Sequence, residues 1–198
     1  ISRIKKSCQE FINIHPSLLP DLRGKNPING SILFDRAAGA TCHIMDDGID
    51  TGEIISQIKI GKIDNLELLY QLSFNAEALV FCDALKRSFK PRKGLAPIKS
   101  PIYYTRKEGD MIISFKAPLQ KIIRQIRAFA VEEQGAYFFY NKMKIKVLDV
   151  EIIKNESLKK YIRRFDSNTI IYQFRNSILM KIHNQPVLFK DVQCTHEK

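Results

Sequence analysis

Hydrophobic and polar positions along the chain fall into blocks with distinct periods. Residues 11–15 (FINIH) form a short apolar run bounded by Pro16 and predict a strand. Residues 26–35 (NPINGSILFD) predict a short helix with Asn26 as N-cap and Pro27 at the first helical position. ATCHIMD alternates and stops at an Asp-Gly turn, and residues 52–60 (GEIISQIKI) follow as a second strand, so the two read as a hairpin-like unit. Asp64 opens a long helix, with Glu67 three residues on as a capping box requires. Leu66, Leu69, Tyr70, Ala76, Leu79, Val80 and Leu85 recur at helical spacing up to about Arg87.

Residues 88–101 (SFKPRKGLAPIKSP) hold three prolines, a glycine and several basic residues, which predicts a domain boundary there. We divide the chain into residues 1–95 and 96–198. In the second part DMIISF reads as a strand and PLQKIIRQIRAF as a helix with Pro118 at its start. GAYFFYNKMKIKVLDVEII reads as two strands joined at Asn141 and Lys142, and TIIYQF, SILMKI and PVLFKDV add three more. One helix with several short strands predicts a small β-barrel-like domain. The expected class is therefore α/β.

Composition narrows this only slightly. A chain of 198 residues that is 44% hydrophobic and 27% charged is ordinary for a globular protein. No apolar run approaches the ~20 residues of a membrane-spanning helix. Residues 1–10 lack an apolar signal core, so the expectation is a cytoplasmic protein. Cys8, Cys42, Cys82 and Cys194 match no zinc spacing and read as reduced, mostly buried thiols; no metal site is expected. Asn29-Gly30-Ser31 and Asn155-Glu156-Ser157 match the glycosylation pattern, which is common by chance. The net charge of +11 is uneven: residues 1–95 carry 13 Lys/Arg and 11 Asp/Glu, residues 96–198 carry 19 and 10. The second part has the charge expected for a polyanionic or phosphorylated partner, or simply for a lysine-covered surface.

The candidate chemistry lies in the first part. CHIMDDGIDTGEI runs from a strand into a tight turn carrying Asp46, Asp47 and Asp50, with Gly48 and Gly52 allowing unusual backbone angles. A calcium loop is one reading, but the acidic spacing does not fit an EF-hand. A solvated turn is another. The third joins Asp50 to Asn13 and His15 at one sheet edge. There a histidine exchanges protons near neutral pH, a carboxylate fixes and stabilises its charged form, and an amide donates to a developing oxyanion.

NIHPSLLPDLRG followed by GATCHIMDDGIDTGEI resembles the folate-dependent formyltransferase family, in order and in spacing. The resemblance is strong over residues 11–60. More weakly, GDMIISF, IIRQIRAF and GAYFFY resemble the appended C-terminal domain of methionyl-tRNA formyltransferases and amino-sugar formyltransferases, an open-barrel, OB-like fold. The resemblance implies part of a Rossmann-like catalytic sheet followed by that domain. In the family about 90 further residues precede the Asn-x-His strand, so the chain is expected to be the C-terminal part of a longer protein. It also implies 10-formyltetrahydrofolate as formyl donor and a primary amine as acceptor. Asn13 would hold the oxyanion, His15 would move the proton, and Asp50 would raise the pKa of His15 and order a water. Met45, Asp46, Asp47, Gly48 and Ile49 would grip the pterin. Ser17, Leu18, Leu19 and Pro20 would shape the loop beside the donor, with Lys25 near the folate.

RGKNPINGSI departs from the form common in the tRNA enzymes. The expected acceptor is accordingly a nucleotide-linked amino sugar, with tRNA as the alternative, a noncatalytic module as a third reading, and a homodimer as the expected assembly.

Overall fold

The computed structural model of the protein describes residues 10–92 and 100–196. It forms two compact units, Ile1–Arg106 and Lys107–Lys198. The boundary expected at residues 95–96 lies outside the described residues, as does Cys8.

In the first unit β1 (Ile12–His15) pairs antiparallel with β2 (Ala38–Ile44), and β2 with β3 (Ile54–Gly61). No parallel ladder of a Rossmann-like sheet lies among the described residues. The period of two explains the division of labour between the faces. Ile12, Ile14, Ala40, Cys42 and Ile44 turn toward a core completed by Ile55, Ala76, Val80 and Ala84. Asn13, His15, Thr41 and His43, offset by one residue, turn the other way, and the register sets Asn13 opposite His43 and His15 opposite Thr41.

That core is closed by α2 (Leu66–Lys86), whose Leu66, Leu69, Ser73, Ala76, Val80 and Ala84 are buried. Each fully buried Leu or Val contributes ~1.5–3 kcal/mol of transfer free energy, which anchors the back of the sheet. The helix begins one residue later than expected. Asn65, not Asp64, is the N-cap, and its side chain accepts from the Leu68 N–H at 2.8 Å. Leu79 and Leu85, expected on the packed face, are each 57% exposed. The shorter α1 (Pro27–Leu33) starts at Pro27 as expected, but Asn26 does not cap it. Its left-handed backbone, φ 66°, departs from the extended conformation that aims a capping side chain into the first turn.

In the second unit α3 (Leu119–Ala128) buries Ile122, Ile123 and Ile126 as its pattern requires. Where DMIISF was expected to be a strand, Glu108–Met111 forms a 3-10 turn and only Ile112 bridges, to Tyr137. The Lys107 N–H donates to the Asp110 carboxylate, and this local capping wins over extension. The expected two-strand segment is three strands: β4 (Ala136–Tyr140), β5 (Met143–Val147) and β6 (Asp149–Ile152). The break at Leu148 passes the chain from one sheet to another, and α4 (Glu156–Tyr161) follows, capped by Asn155. A single helix was expected here; α4 is a second. The remaining strands are β7 (Thr169–Phe174), β8 (Ser177–Ile182), β9 (Gln185–Lys190) and β10 (Gln193–His196). The sheets run β10-β5-β4 and β6-β9-β8-β7, all antiparallel. Neither closes into a barrel among the described residues.

Of the described cysteines Cys42 is buried, whereas Cys82 and Cys194 are exposed, against the expectation of mostly buried thiols. Asn29 is buried on α1 and accepts from the Tyr70 hydroxyl. Among the described residues no helix is long and apolar enough to cross a membrane.

Candidate active site

The outer face of the sheet gathers four polar groups. β1 delivers Asn13 and His15, β2 delivers His43, and the turn after β2 carries Asp50 back over them. That turn closes tightly. The Ile44 N–H donates to the Glu53 carbonyl at 2.9 Å, and a Cβ on Gly52 would collide with the Ile44 carbonyl oxygen. Asp50 itself takes φ 52°, a left-handed conformation that Asp tolerates better than most residues.

The Asp50 carboxylate is the hub. Its Oδ2 accepts from the Gly24 N–H at 2.9 Å and stands 3.6 Å from His15 Nδ1. Its Oδ1 accepts from Asn13 Nδ2 at 3.4 Å and stands 3.6 Å from His43 Nε2. Asn13 Nδ2 also lies 3.3 Å from His43 Nε2. Carbonyl oxygens only accept, so the backbone fixes both tautomers. His15 Nε2–H donates to the Leu22 carbonyl at 2.9 Å, and His43 Nδ1–H donates to the Ile44 carbonyl at 2.9 Å. Neutral His15 therefore directs the lone pair of Nδ1 at Asp50, and neutral His43 accepts from Asn13 through Nε2.

His15 is only 5% exposed. Burial pushes its pKa below the usual imidazole value; the Leu22 carbonyl and Asp50 pull it back up without cancelling the loss, and His43 adds slightly to the lowering. Asp50 raises this pKa, as expected, but burial outweighs it. The imidazole is a neutral base over a wider pH range than an exposed histidine, with a carboxylate placed to stabilise the cation once a proton arrives.

Beside the cluster lies an open cavity of about 220 Å³ lined by His43, Met45, Asp46, Gly48, Ile49 and Asp50. Asp46 stiffens its rim by accepting from the Gly48 N–H at 3.0 Å and the Thr51 hydroxyl at 2.6 Å, and the Thr51 hydrogen bond is the main reason its carboxyl lies below the usual range. Asp47 is exposed on the same turn. The other expected residues sit apart from this cavity. Ser17 is buried and donates to the Asp21 carbonyl at 2.7 Å, while its own carbonyl accepts from Thr41. Leu18 packs against Gly39, and Leu19 is buried with its N–H on Thr41 Oγ1. Pro20 follows a cis peptide bond, and its carbonyl accepts from Arg23. Lys25 is exposed, and its N–H meets Thr105 Oγ1.

Residues 3–85 match the family model for formyl transferase, and residues 106–198 match the one for the formyl transferase C-terminal domain. The chain belongs to the formyltransferase family. The formyltransferase from Ehrlichia chaffeensis that acts as a methionyl-tRNA formyltransferase is 33% identical over 154 residues, which is 75% of this chain and 48% of that one. The chain thus spans about half the length of the curated relatives it matches. Among solved structures, the N-formyltransferase from Helicobacter canadensis in complex with folinic acid and dTDP-3-aminofucose superposes with a TM-score of 0.65 at 24% identity, covering 91% of this chain and 65% of that one. The methionyl-tRNA formyltransferase from Clostridium thermocellum superposes with a TM-score of 0.66 at 17% identity, covering 100% and 73%.

His43 belongs to this cluster and is absent from the expected site. Its one sequence signal was position: in the strand pairing with residues 11–15, an odd-numbered residue shares the face of Asn13 and His15 when an odd-numbered residue lies opposite. Without the register that parity is unknown.

Proposed function

We propose that the complete protein transfers a formyl group from 10-formyltetrahydrofolate to a primary amine. The observation that carries this reading is the convergence of Asn13, His15 and Asp50 beside an open cavity, on a chain of this family. The cavity suits a flat heteroaromatic ring: Met45 and Ile49 offer apolar contact, Asp46 and Gly48 line it, and His43 and Asp50 join it to the cluster, with Asp47 on the same turn but outside the lining. When bound, the folate supplies an electrophilic formyl carbon. His15 receives the proton of the attacking amine at Nδ1, while Nε2–H stays on the Leu22 carbonyl. The resulting imidazolium lies between that carbonyl and Asp50, so both N–H groups face acceptors, and Nδ1 then returns the proton to the folate nitrogen that leaves as its bond to the formyl carbon breaks. Asn13 turns an amide N–H from Asp50 or His43 toward the oxygen that becomes negative. His43, held by the Ile44 carbonyl, keeps Asn13 in place until then. Ser17 and Leu19, flanking Leu18 and next to Pro20, are tied through Thr41 to the same sheet face as the cluster, and Lys25 is an exposed cation on the loop that follows.

For the acceptor we favour a nucleotide-linked amino sugar. RGKNPINGSI supports it, and so does the likeness to the Helicobacter canadensis enzyme. Methionyl-tRNA is the second reading, supported by the Ehrlichia chaffeensis relative and by the second unit, which we read as an open OB-like barrel. On its β4–β5 face Phe139 is 48% exposed and Lys144 lies 3.8 Å over the Tyr137 ring, an arrangement that suits a stacked, anionic strand. The test is formylation by the complete protein of a panel of nucleotide-linked amino sugars and of methionyl-tRNA. Turnover on a sugar supports the first acceptor. Turnover on tRNA with binding that weakens steeply with salt supports the second. Failure on every amine overturns the enzymatic reading.

A further inference from the structure

The loop of residues 21–25 separates the catalytic cluster from a strap, residues 100–105, that leads toward the second unit in sequence. Successive backbone groups of this loop point in opposite directions. Toward the cluster, the Leu22 carbonyl accepts from His15 and the Gly24 N–H donates to Asp50. Toward the strap, the Arg23 N–H donates to the Ile102 carbonyl at 3.2 Å and its carbonyl accepts from the Tyr104 N–H at 2.8 Å. Every partner that orients His15 and Asp50 from this side is thus a peptide group whose neighbour is fixed by the strap.

One buried side chain pins the two together. Asp21 is 5% exposed. Its Oδ1 accepts from the Ile102 N–H at 2.8 Å and the Leu22 N–H at 3.2 Å, and its Oδ2 stands 3.6 Å from Arg36 Nε. Arg36 in turn donates to the Ser100 carbonyl at 3.1 Å. The fit leaves no slack: at Gly24, with φ +104°, a Cβ would stand 2.5 Å from the Tyr104 carbonyl oxygen. The buried Tyr104 ring meets Phe34 edge-on at 5.2 Å.

We propose that Asp21 is a positioning residue for the reaction, clamping the strap at Ile102 onto the loop that holds His15 and Asp50 in register. Asp21 touches neither group; it acts through the peptides on either side of Leu22. A carboxylate suits the task because one oxygen accepts two converging N–H groups while the other faces a guanidinium. This role rests on the formyl-transfer reading of the same cluster, and its test includes a readout that does not.

The experiment compares full-length wild-type protein with Asp21→Asn, Asp21→Ala and Ile102→Pro, the last removing the same hydrogen bond from the donor side. Asp21→Ala and Ile102→Pro are expected to lower kcat ten- to a hundredfold with both KM values within about threefold, and the double variant to lose no more than about twofold beyond the worse single one. Asp21→Asn keeps the Oδ1 acceptor and is expected to retain most of the rate. Independently of turnover, NMR titration of His15 is expected to move toward the ordinary histidine midpoint in Asp21→Ala, as a loosened loop admits water. Folded Asp21→Ala protein with wild-type kcat, or with an unmoved His15 titration, overturns the proposal. If wild-type protein transfers no formyl group, the titration alone decides the clamp, and the functional reading fails separately.

Discussion

Replacing Asp50 by Asn removes one charge and keeps nearly the same shape. The carboxylate stands 3.6 Å from His15 Nδ1 and is 14% exposed at its side chain. At that distance a unit charge pair at an effective dielectric of ~20 is worth about 4–5 kcal/mol. The amide retains a carbonyl for the Gly24 N–H, and its dipole replaces part of the lost field, which leaves about 3–4 kcal/mol. The imidazolium forms only as the amine is attacked, so this loss falls on the transition state: kcat drops by ~10²–10³-fold, with both KM values nearly unchanged. The pH profile gives a second reading of the same charge. Asp50 is one of the two influences holding the His15 pKa up against burial, so its removal shifts the acid limb to lower pH. The assay is the initial rate of formyl transfer by the complete protein from pH 5 to 9. A decrease below fivefold, or an acid limb that moves to higher pH, refutes the charge-stabilisation reasoning.

Other consequences are as direct. Thr41 Oγ1 accepts from the Leu19 N–H and Gln57 Nε2 and donates to the Ser17 carbonyl at 2.6 Å in a fully buried site, so Thr41→Val strands the Leu19 N–H and the Ser17 carbonyl, while Gln57 keeps its bond to the Leu19 carbonyl, and lowers stability by about 2–4 kcal/mol, read from urea unfolding. Gly52→Ala drives a methyl group into the Ile44 carbonyl and opens the turn that carries Asp50; folded protein with wild-type activity would contradict it. His15 has a lowered pKa in the folded state, so as pH falls below 6.5 the unfolded chain takes up the proton first and stability declines. The urea midpoint should therefore fall between pH 7 and pH 5 in wild type, and fall less in His15→Gln.

Much of the first unit was legible because its signals are local. The isoleucines of FINIH, the alternation of ATCHI and the Asp-Gly turn specify β1, β2 and the connection to β3 without tertiary information. Asn13, His15 and Asp50 were visible as a pattern of residue types in order, and the structure brings them within contact of one another. What escaped depends on register or on distant partners. His43 joins the cluster because it stands opposite Asn13, a relation fixed by how two strands slide against each other. Asp21 reads as an ordinary loop carboxylate until Ile102, far along the chain, is seen at 2.8 Å. The misread strand at DMIISF failed for a local reason, the capping of a short turn by Asp110. The continuous strand expected after Lys142 failed because nothing at Leu148 announces a change of sheet.

The central claim is that His15 and Asp50 act as one unit. It is tested most directly by a double-mutant cycle on kcat for formyl transfer in the complete protein, using His15→Ala, Asp50→Asn and both together. With the imidazole gone the carboxylate has no cation to stabilise, so the double variant should be about as slow as His15→Ala alone. Losses that multiply, so that the double variant is slower than His15→Ala by the full factor of Asp50→Asn, would show two groups working independently and contradict the account.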